Sequence, residues 1–307
     1  MSVVKFLLKR AAWIGLTLWA VFTITFLLMY NAPGGPFDSE RNLPEQIKRN
    51  IEARYRLDQP LHVQYGRMLF DAMRGDLGQP YRLQDFTVNE VIAQGFPVSA
   101  ALGIFAMTFA LTLGLTAGVV SAVARHTAWD FSFMAVATVG IAVPNFVLAG
   151  LSVIVFVFII GLFPAAGWGT LKQLVLPSLC LGAPFAGYIA RLTRTGMLEV
   201  LGLDYIRTAY AKGLMPRRVV VRHALRGAIL PVVSYVGPAT AGILTGSLVV
   251  ERMFAIPGMG SHFIEAAFAR DYTLAMGMVL VYTVLLVTMN TLVDLSYAVI
   301  DPRVKIQ

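Results

Sequence analysis

Uncharged apolar runs about as long as a bilayer is thick recur along this chain of 307 residues, and few architectures tolerate them. A helix needs about 20 mostly apolar residues to cross the hydrocarbon core, where only helices and closed barrels satisfy their backbone polar groups. Residues 11–30, 96–124, 131–171, 174–190, 227–250 and 272–293 carry no Asp, Glu, Lys or Arg. The run 131–171 is too long for one span and too short for two, so it reads as a helix over 133–163, bent at Pro144 and followed by the loop "PAAGWGT". The run 174–190 is shorter and includes Pro177 and Pro184, tolerable where neighbouring helices satisfy the freed carbonyls. The expected fold is an all-α integral membrane protein with six spans, at about 11–30, 97–124, 133–163, 174–190, 227–250 and 272–300. Composition agrees, with 57% hydrophobic and 14% charged residues against a soluble domain's usual quarter charged.

A net charge of +8 would suggest nucleic acid in a soluble protein; here basic residues that hold loops against anionic lipid explain it better. With the N-terminus inside, the inner segments hold Lys5, Lys9, Arg10, Arg125, eight Lys or Arg between Arg191 and Arg226, then Arg303 and Lys305. The outer short loops hold only Lys172, Arg252 and Arg270. Both termini are therefore expected in the cytoplasm. An N-terminal signal peptide fits less well than an uncleaved first helix, because no small-x-small cleavage site follows the apolar run. The single cysteine, Cys180, allows no disulfide framework. The chain divides into 1–95 (first span plus an outer segment), a membrane domain over 96–300 and a tail over 301–307. "LPEQIKRNIEARYRL" and "PLHVQYGRMLFDAMRG" predict two short helices in the outer segment, each opened by a proline. They cap the membrane domain or dock an outer partner.

Motifs for chemistry are missing from the sequence. No G-x-x-x-x-G-K-[ST], G-x-S-x-G, H-E-x-x-H or C-x-x-C occurs, and His62, His126, His223 and His262 lack metal-ligand spacing. The expectation is a chain that is not an enzyme and holds no metal or cofactor. Asp294 is the one ionisable residue within a span, near its cytoplasmic end. A proton- or ion-coupled carrier ordinarily needs several such groups along its path, so that class stays a rival on Asp294 alone. Gly114-x-x-x-Gly118 and Gly242-x-x-x-Gly246 predict close helix approach, within the chain or against a partner.

The loop 191–226 is the part with most to say. Asp204 is a candidate N-cap and Lys212-Gly213 a stop, giving a helix of about eight residues, too short to hold itself in water. Tyr205, Ile206, Ala209 and Tyr210 share its apolar face; Arg207, Thr208, Ala211 and Leu214 complete the segment. Pro216 suits the first turn of a second helix that carries Arg217, Arg218, Arg222 and Arg226 toward Pro231. The short helix must bury its apolar face against the chain's own membrane domain or in a groove of a cytoplasmic partner. Physical chemistry weighs these two equally. Beyond the fifth span, Glu251, Pro257, Gly258 and Gly260 suit either a gate at the outer mouth or a plain connecting turn.

"DYIRTAYAKGLMPRRVVVRHALRGAILPV" resembles the cytoplasmic loop of ABC-type permeases of the dipeptide and oligopeptide class. The general permease motif is Glu-Ala-Ala, three residues, Gly, then Ile-x-Leu-Pro. Here Arg207-Thr208-Ala209 replaces Glu-Ala-Ala, Gly213 is kept, and Ile229-Leu230-Pro231 closes the motif at a longer spacing. "LLMYNAPGGPF", "YRLDQPLHVQY", "RGDLGQPY", "VERMFAIPGMG", "ARDYTLAMGMVL" and "DPRVK" extend the likeness along nearly the whole chain, and it is strongest to the B-type subunit of oligopeptide importers. The resemblance implies a type I importer permease fold in the bacterial cytoplasmic membrane. It implies a homologous second permease, two cytoplasmic ATPases that bind the ATP and Mg, and an extracytoplasmic peptide-binding protein. It implies that residues 204–214 form the helix that couples to the ATPase, supported by Pro216, Arg217, Arg218 and Pro231. Oligopeptide is the expected substrate; dipeptide, nickel chelate, haem and oligosaccharide share the permease type.

Overall fold

A computed structural model describes residues 3–31, Gln46, Ala53 and 55–300, with the side chains of 3–7, 245–246 and 293–300 outside that description. The side chain of Asp294 is among these, and the tail 301–307 and most of the first expected outer helix fall outside the description as well. The regular elements among the described residues are helical. They are α1 (Val3–Asn31), α2 (Leu61–Met73), α3 (Val88–Val123), α4 (Ala128–Ala142), α5 (Asn145–Ile159), α6 (Leu171–Leu201), α7 (Asp204–Ala211), α8 (Pro216–Ala228), α9 (Leu230–Met253), α10 (Met259–Ala269) and α11 (Tyr272–Ile300). Four helices, α1, α3, α6 and α11, are each long and apolar enough to cross a membrane; the pairs α4–α5 and α8–α9 raise the number to six if each bent pair is one span.

Local chemistry sets most of these ends. Thr87 and Glu90 form a reciprocal cap at the start of α3, with Glu90 Oε2 accepting from Thr87 N at 2.7 Å and Thr87 Oγ1 accepting from Glu90 N at 3.2 Å. Thr170 and Gln173 do the same for α6. The bend expected at Pro144 is a full break: α4 stops at Ala142, Pro144 caps α5, and the two axes differ by 111°. Proline removes the hydrogen bond that would carry the helix through and pushes its predecessor, Val143, into extended backbone, φ −88° and ψ 125°. The far end of α5 widens into a π-helix over Val153–Ile159 with no buried side chain. In the expected outer segment, α2 forms with Pro60 at its N-cap and Gly75 beyond its end at φ +81°.

Two compact units result. In the unit built from residues 1–98 and 257–288, Phe22 and Phe26 of α1 pack with Tyr65 and Met68 of α2 and Met276 of α11. Val88 and Val91 pack with Met259, Leu274 and Met278. In the unit of residues 99–256, α6 runs along α4, α5, α8 and α9. The helix α3 meets α6 through glycines: a Cβ on Gly114 would stand 2.7 Å from the Ala186 carbonyl oxygen, and one on Gly118 2.6 Å from that of Ala190. The Gly114-x-x-x-Gly118 spacing therefore serves packing within the chain. Gly242 lies under the Phe185 ring, 3.2 Å from where a Cβ would be, and the surroundings of Gly246 are outside the described residues.

Candidate functional site

The short helix of the basic loop forms as α7, capped by Leu203 rather than by Asp204, which falls in the first turn where the helix dipole favours an acid. Its end is a Schellman closure: Gly213 N donates to Tyr210 O at 2.9 Å and Leu214 N to Ala209 O at 3.3 Å. Gly213 adopts φ +76°, open to glycine and strained for a residue with a Cβ. Arg207 approaches Asp204 at 3.4 Å, but with side chains 76% and 95% exposed the pair contributes little.

The helix is divided between two faces. Ile206 and Ala209 are buried with Ala122 of α3, Met197 of α6, and Val219, Ala224 and Ala228 of α8. Of the two burials open to the short helix, the chain's own membrane domain takes Ile206 and Ala209. Tyr205, Tyr210, Leu203 and Met215 remain exposed, Met215 at 77%. Thr208, Ala211 and Lys212 are exposed beside them. Pro216 opens α8 as its spacing predicts, and Arg217, Arg218, Arg222 and Arg226 are exposed along it. Pro231 stands in the first turn of α9. The exposed side of α7–α8 and its flanks thus has five large apolar side chains, Val221 with those four, among six exposed bases, Arg207 and Lys212 included.

The same unit holds a polar cluster that no sequence motif announces. Arg194 of α6 grips Asp130 of α4 with both ends of its guanidinium, Nε to Oδ1 at 2.8 Å and Nη2 to Oδ2 at 2.9 Å. Arg194 Nε also donates to Ser121 Oγ of α3 at 3.0 Å, Ser121 Oγ donates to Asp130 Oδ1, and His126 N donates to Asp130 Oδ2 at 3.1 Å. The one sequence signal is Thr127-x-x-Asp130, which looks like a local helix cap. Thr127 instead donates to Ala124 O at 2.6 Å, leaving Asp130 to its distant partners.

Of the residues expected at an outer gate, Glu251 is fully buried near the end of α9 and accepts from Ser99 Oγ of α3 at 2.7 Å. Pro257 and Gly258 form the turn into α10, where Gly258 is the N-cap and Gly260 is buried. In the unit that holds α10, Asp271 caps α11. Its Oδ1 accepts from Leu274 N at 3.1 Å and its Oδ2 from Tyr81 N at 2.7 Å and Arg82 N at 3.2 Å. Burial pushes the Asp271 carboxyl up from its ordinary range, opposed by those backbone donors. Burial likewise raises the Tyr81 phenol. A cavity of about 400 Å³ opens in this unit beside Tyr30, Tyr55, Gln64, Arg67 and Tyr81. Among the described residues, no three His, Cys, Asp or Glu side chains gather to hold a metal ion.

Among the described residues the chain is helical, with two sharply bent helix pairs and a short buttressed helix in a basic loop. The chain belongs to the family of binding-protein-dependent transport system inner membrane components, whose model matches residues 114–306. It is homologous to peptide permeases: 43% identical over 303 residues to the oligopeptide transport system permease protein OppB of Escherichia coli strain K12, covering 98% of this chain and 99% of that protein. The dipeptide transport system permease protein DppB of Bacillus subtilis strain 168 is 43% identical over 302 residues, covering 98% of each. Among solved structures, the inward-facing MetNI methionine ABC transporter has a chain of similar fold, with a TM-score of 0.53 and 18% identity over 67% of this chain and 95% of that one.

Proposed function

We propose that this chain is the translocating permease subunit of an ATP-driven importer that carries peptides, oligopeptides foremost, across the bacterial cytoplasmic membrane. One observation carries the reading: near full-length likeness, at 43% identity, to permease proteins of both oligopeptide and dipeptide transport systems. The chain would span the membrane six times with both termini inside and pair with a homologous second permease. Two cytoplasmic ATPases would supply the ATP and Mg sites, and an extracytoplasmic binding protein would deliver peptide.

In this reading the coupling site is α7. Ile206 and Ala209 anchor the helix to the membrane domain, while Tyr205, Tyr210, Leu203 and Met215 offer an apolar surface ringed by Arg207, Lys212, Arg217 and Arg218. That chemistry suits an apolar groove with an acidic rim. Gly213 and Pro216 bound the helix, so a pull on it passes into α6 and α8 as movement of whole elements. Glu251, Pro257, Gly258 and Gly260 would form the outer gate.

Purification of the chain from its native membrane in mild detergent, with mass-spectrometric identification of what stays bound, tests the assembly. A second permease and P-loop ATPases are expected; the chain alone or as a homo-oligomer after crosslinking overturns the reading. In vesicles holding the complex, uptake of trialanine should stop when ATP is removed and survive a protonophore. The reverse pattern establishes an ion-coupled carrier, and uptake of another solute in place of peptide overturns the substrate.

A further inference from the structure

Three helices meet at one ion pair, in the unit that also holds α7. Asp130 belongs to the first turn of α4, Ser121 to the end of α3 and Arg194 to α6, about two turns before α6 ends at Leu201. Arg194 makes a two-point grip on Asp130 and a third bond to Ser121. One helical turn away, Arg191 Nη2 donates to Thr138 Oγ1 of α4 at 2.9 Å, a second tie between the same two helices. Ala122, next to Ser121, and Met197, next turn after Arg194, are core partners of Ile206 and Ala209. The cluster and the anchor of α7 are therefore adjacent parts of one unit.

Three properties distinguish this cluster from ordinary surface charge. Asp130 is largely covered, its side chain 9% exposed, and its two oxygens accept from Arg194, Ser121 and the His126 backbone. Arginine's planar fork fixes direction as well as distance, which a lysine at the same place would not do. The pair is partly buried, with the Arg194 side chain 27% exposed, so its contribution to stability is modest and what it chiefly fixes is the geometry between the helices.

We propose that Asp130, Arg194 and Ser121 are positioning residues that lock α3, α4 and α6 into a single lever, so that displacement of α7 by an ATPase reaches the membrane helices without slack. The proposal rests on the transport reading above. It assigns the cluster no contact with ATP, ATPase or peptide. Loss of the grip therefore separates hydrolysis from transport instead of abolishing hydrolysis.

The experiment uses the whole complex, purified from its native membrane and reconstituted in vesicles, with trialanine as the probe. Asp130→Asn keeps the shape of the side chain and removes its charge; Arg194→Lys keeps the charge and removes the fork. In each, trialanine taken up per ATP hydrolysed should fall about tenfold, a typical coupling loss, while hydrolysis per complex stays at the parent rate. Ser121→Ala should fall less, since the two-point grip remains. The proposal is overturned if uptake and hydrolysis decline in proportion, if neither changes, or if both charge variants yield no assembled complex, which would make the cluster a folding element. A parent complex without ATP-driven uptake refutes the transport reading itself, and the lever with it.

Discussion

At the scale of single residues, two positions turn local geometry into measurable consequences. Gly213 closes α7 at φ +76° with open space around it, so a substitution there meets backbone strain and no clash. Gly213→Val places a β-branched side chain in the left-handed region, costing on the order of 1–2 kcal/mol, enough to fray a two-turn helix without unfolding a membrane domain. We expect the variant to insert normally and to lose trialanine uptake relative to ATP hydrolysis; unchanged uptake and stimulated hydrolysis would remove α7 from the coupling path. Asp271 makes a different prediction. Its folded pKa is raised above the unfolded value of about 3.9, so the folded state holds a proton that the unfolded chain releases. That contribution is fully present at low pH and is lost as pH rises through the folded pKa. Asp271→Asn removes this titration, so the difference in Tm between parent and variant should shift against the parent as pH rises from about 4 toward neutrality. A difference that does not change with pH contradicts a raised Asp271.

At the scale of elements, α7 shows what a sequence can and cannot reveal. Its existence is legible: Gly213 and Pro216 punctuate it, and apolar residues recur at helical spacing. Its orientation is not, because Tyr205, Ile206, Ala209 and Tyr210 satisfy an inner and an outer face equally until the neighbours from α3, α6 and α8 are present. Long apolar elements are read well for the opposite reason, since period and length need no partner. Even so, α6 runs from Leu171 to Leu201, well past the uncharged run, since arginine favours helix, and Arg191 and Arg194 find Thr138 and Asp130. Partners 53 and 64 residues apart leave no mark on local pattern. The two faces of α7 can be separated by substitution. Ile206→Ala empties a fully packed site and should destabilise the chain by about 2–5 kcal/mol. Tyr210→Ala removes an exposed ring and should leave Tm unchanged while weakening retention of the ATPases on purification. Equal effects of the two substitutions on Tm would mean that the division of faces is wrong.

At the scale of the whole molecule, the open question of topology is whether each bent pair crosses the membrane, and charge and geometry together give a decisive experiment. With the N-terminus inside, six crossings place the loop after α5 outside and the α7 loop inside. If α4–α5 and α8–α9 instead dipped and returned, four crossings would remain, with the first loop inside and α7 outside. But α6 would then cross opposite to α3, against the parallel contacts of Gly114 with Ala186, Gly118 with Ala190 and Ser121 with Arg194. The C-terminus is inside in both cases, so locating it decides nothing. The α7 loop decides, and its eight Lys or Arg between Arg191 and Arg226 favour the cytoplasmic side by about 1 kcal/mol for each base near an anionic surface. Cys180 is the sole cysteine and is buried, so a Cys180→Ala background gives a clean probe. Ala165 and Lys212 are both exposed positions. A membrane-impermeant maleimide should label Ala165→Cys in right-side-out vesicles and Lys212→Cys only in inside-out ones. The opposite pattern would put α7 on the outer face, where no ATPase could reach it, and would overturn both the coupling surface and the lever.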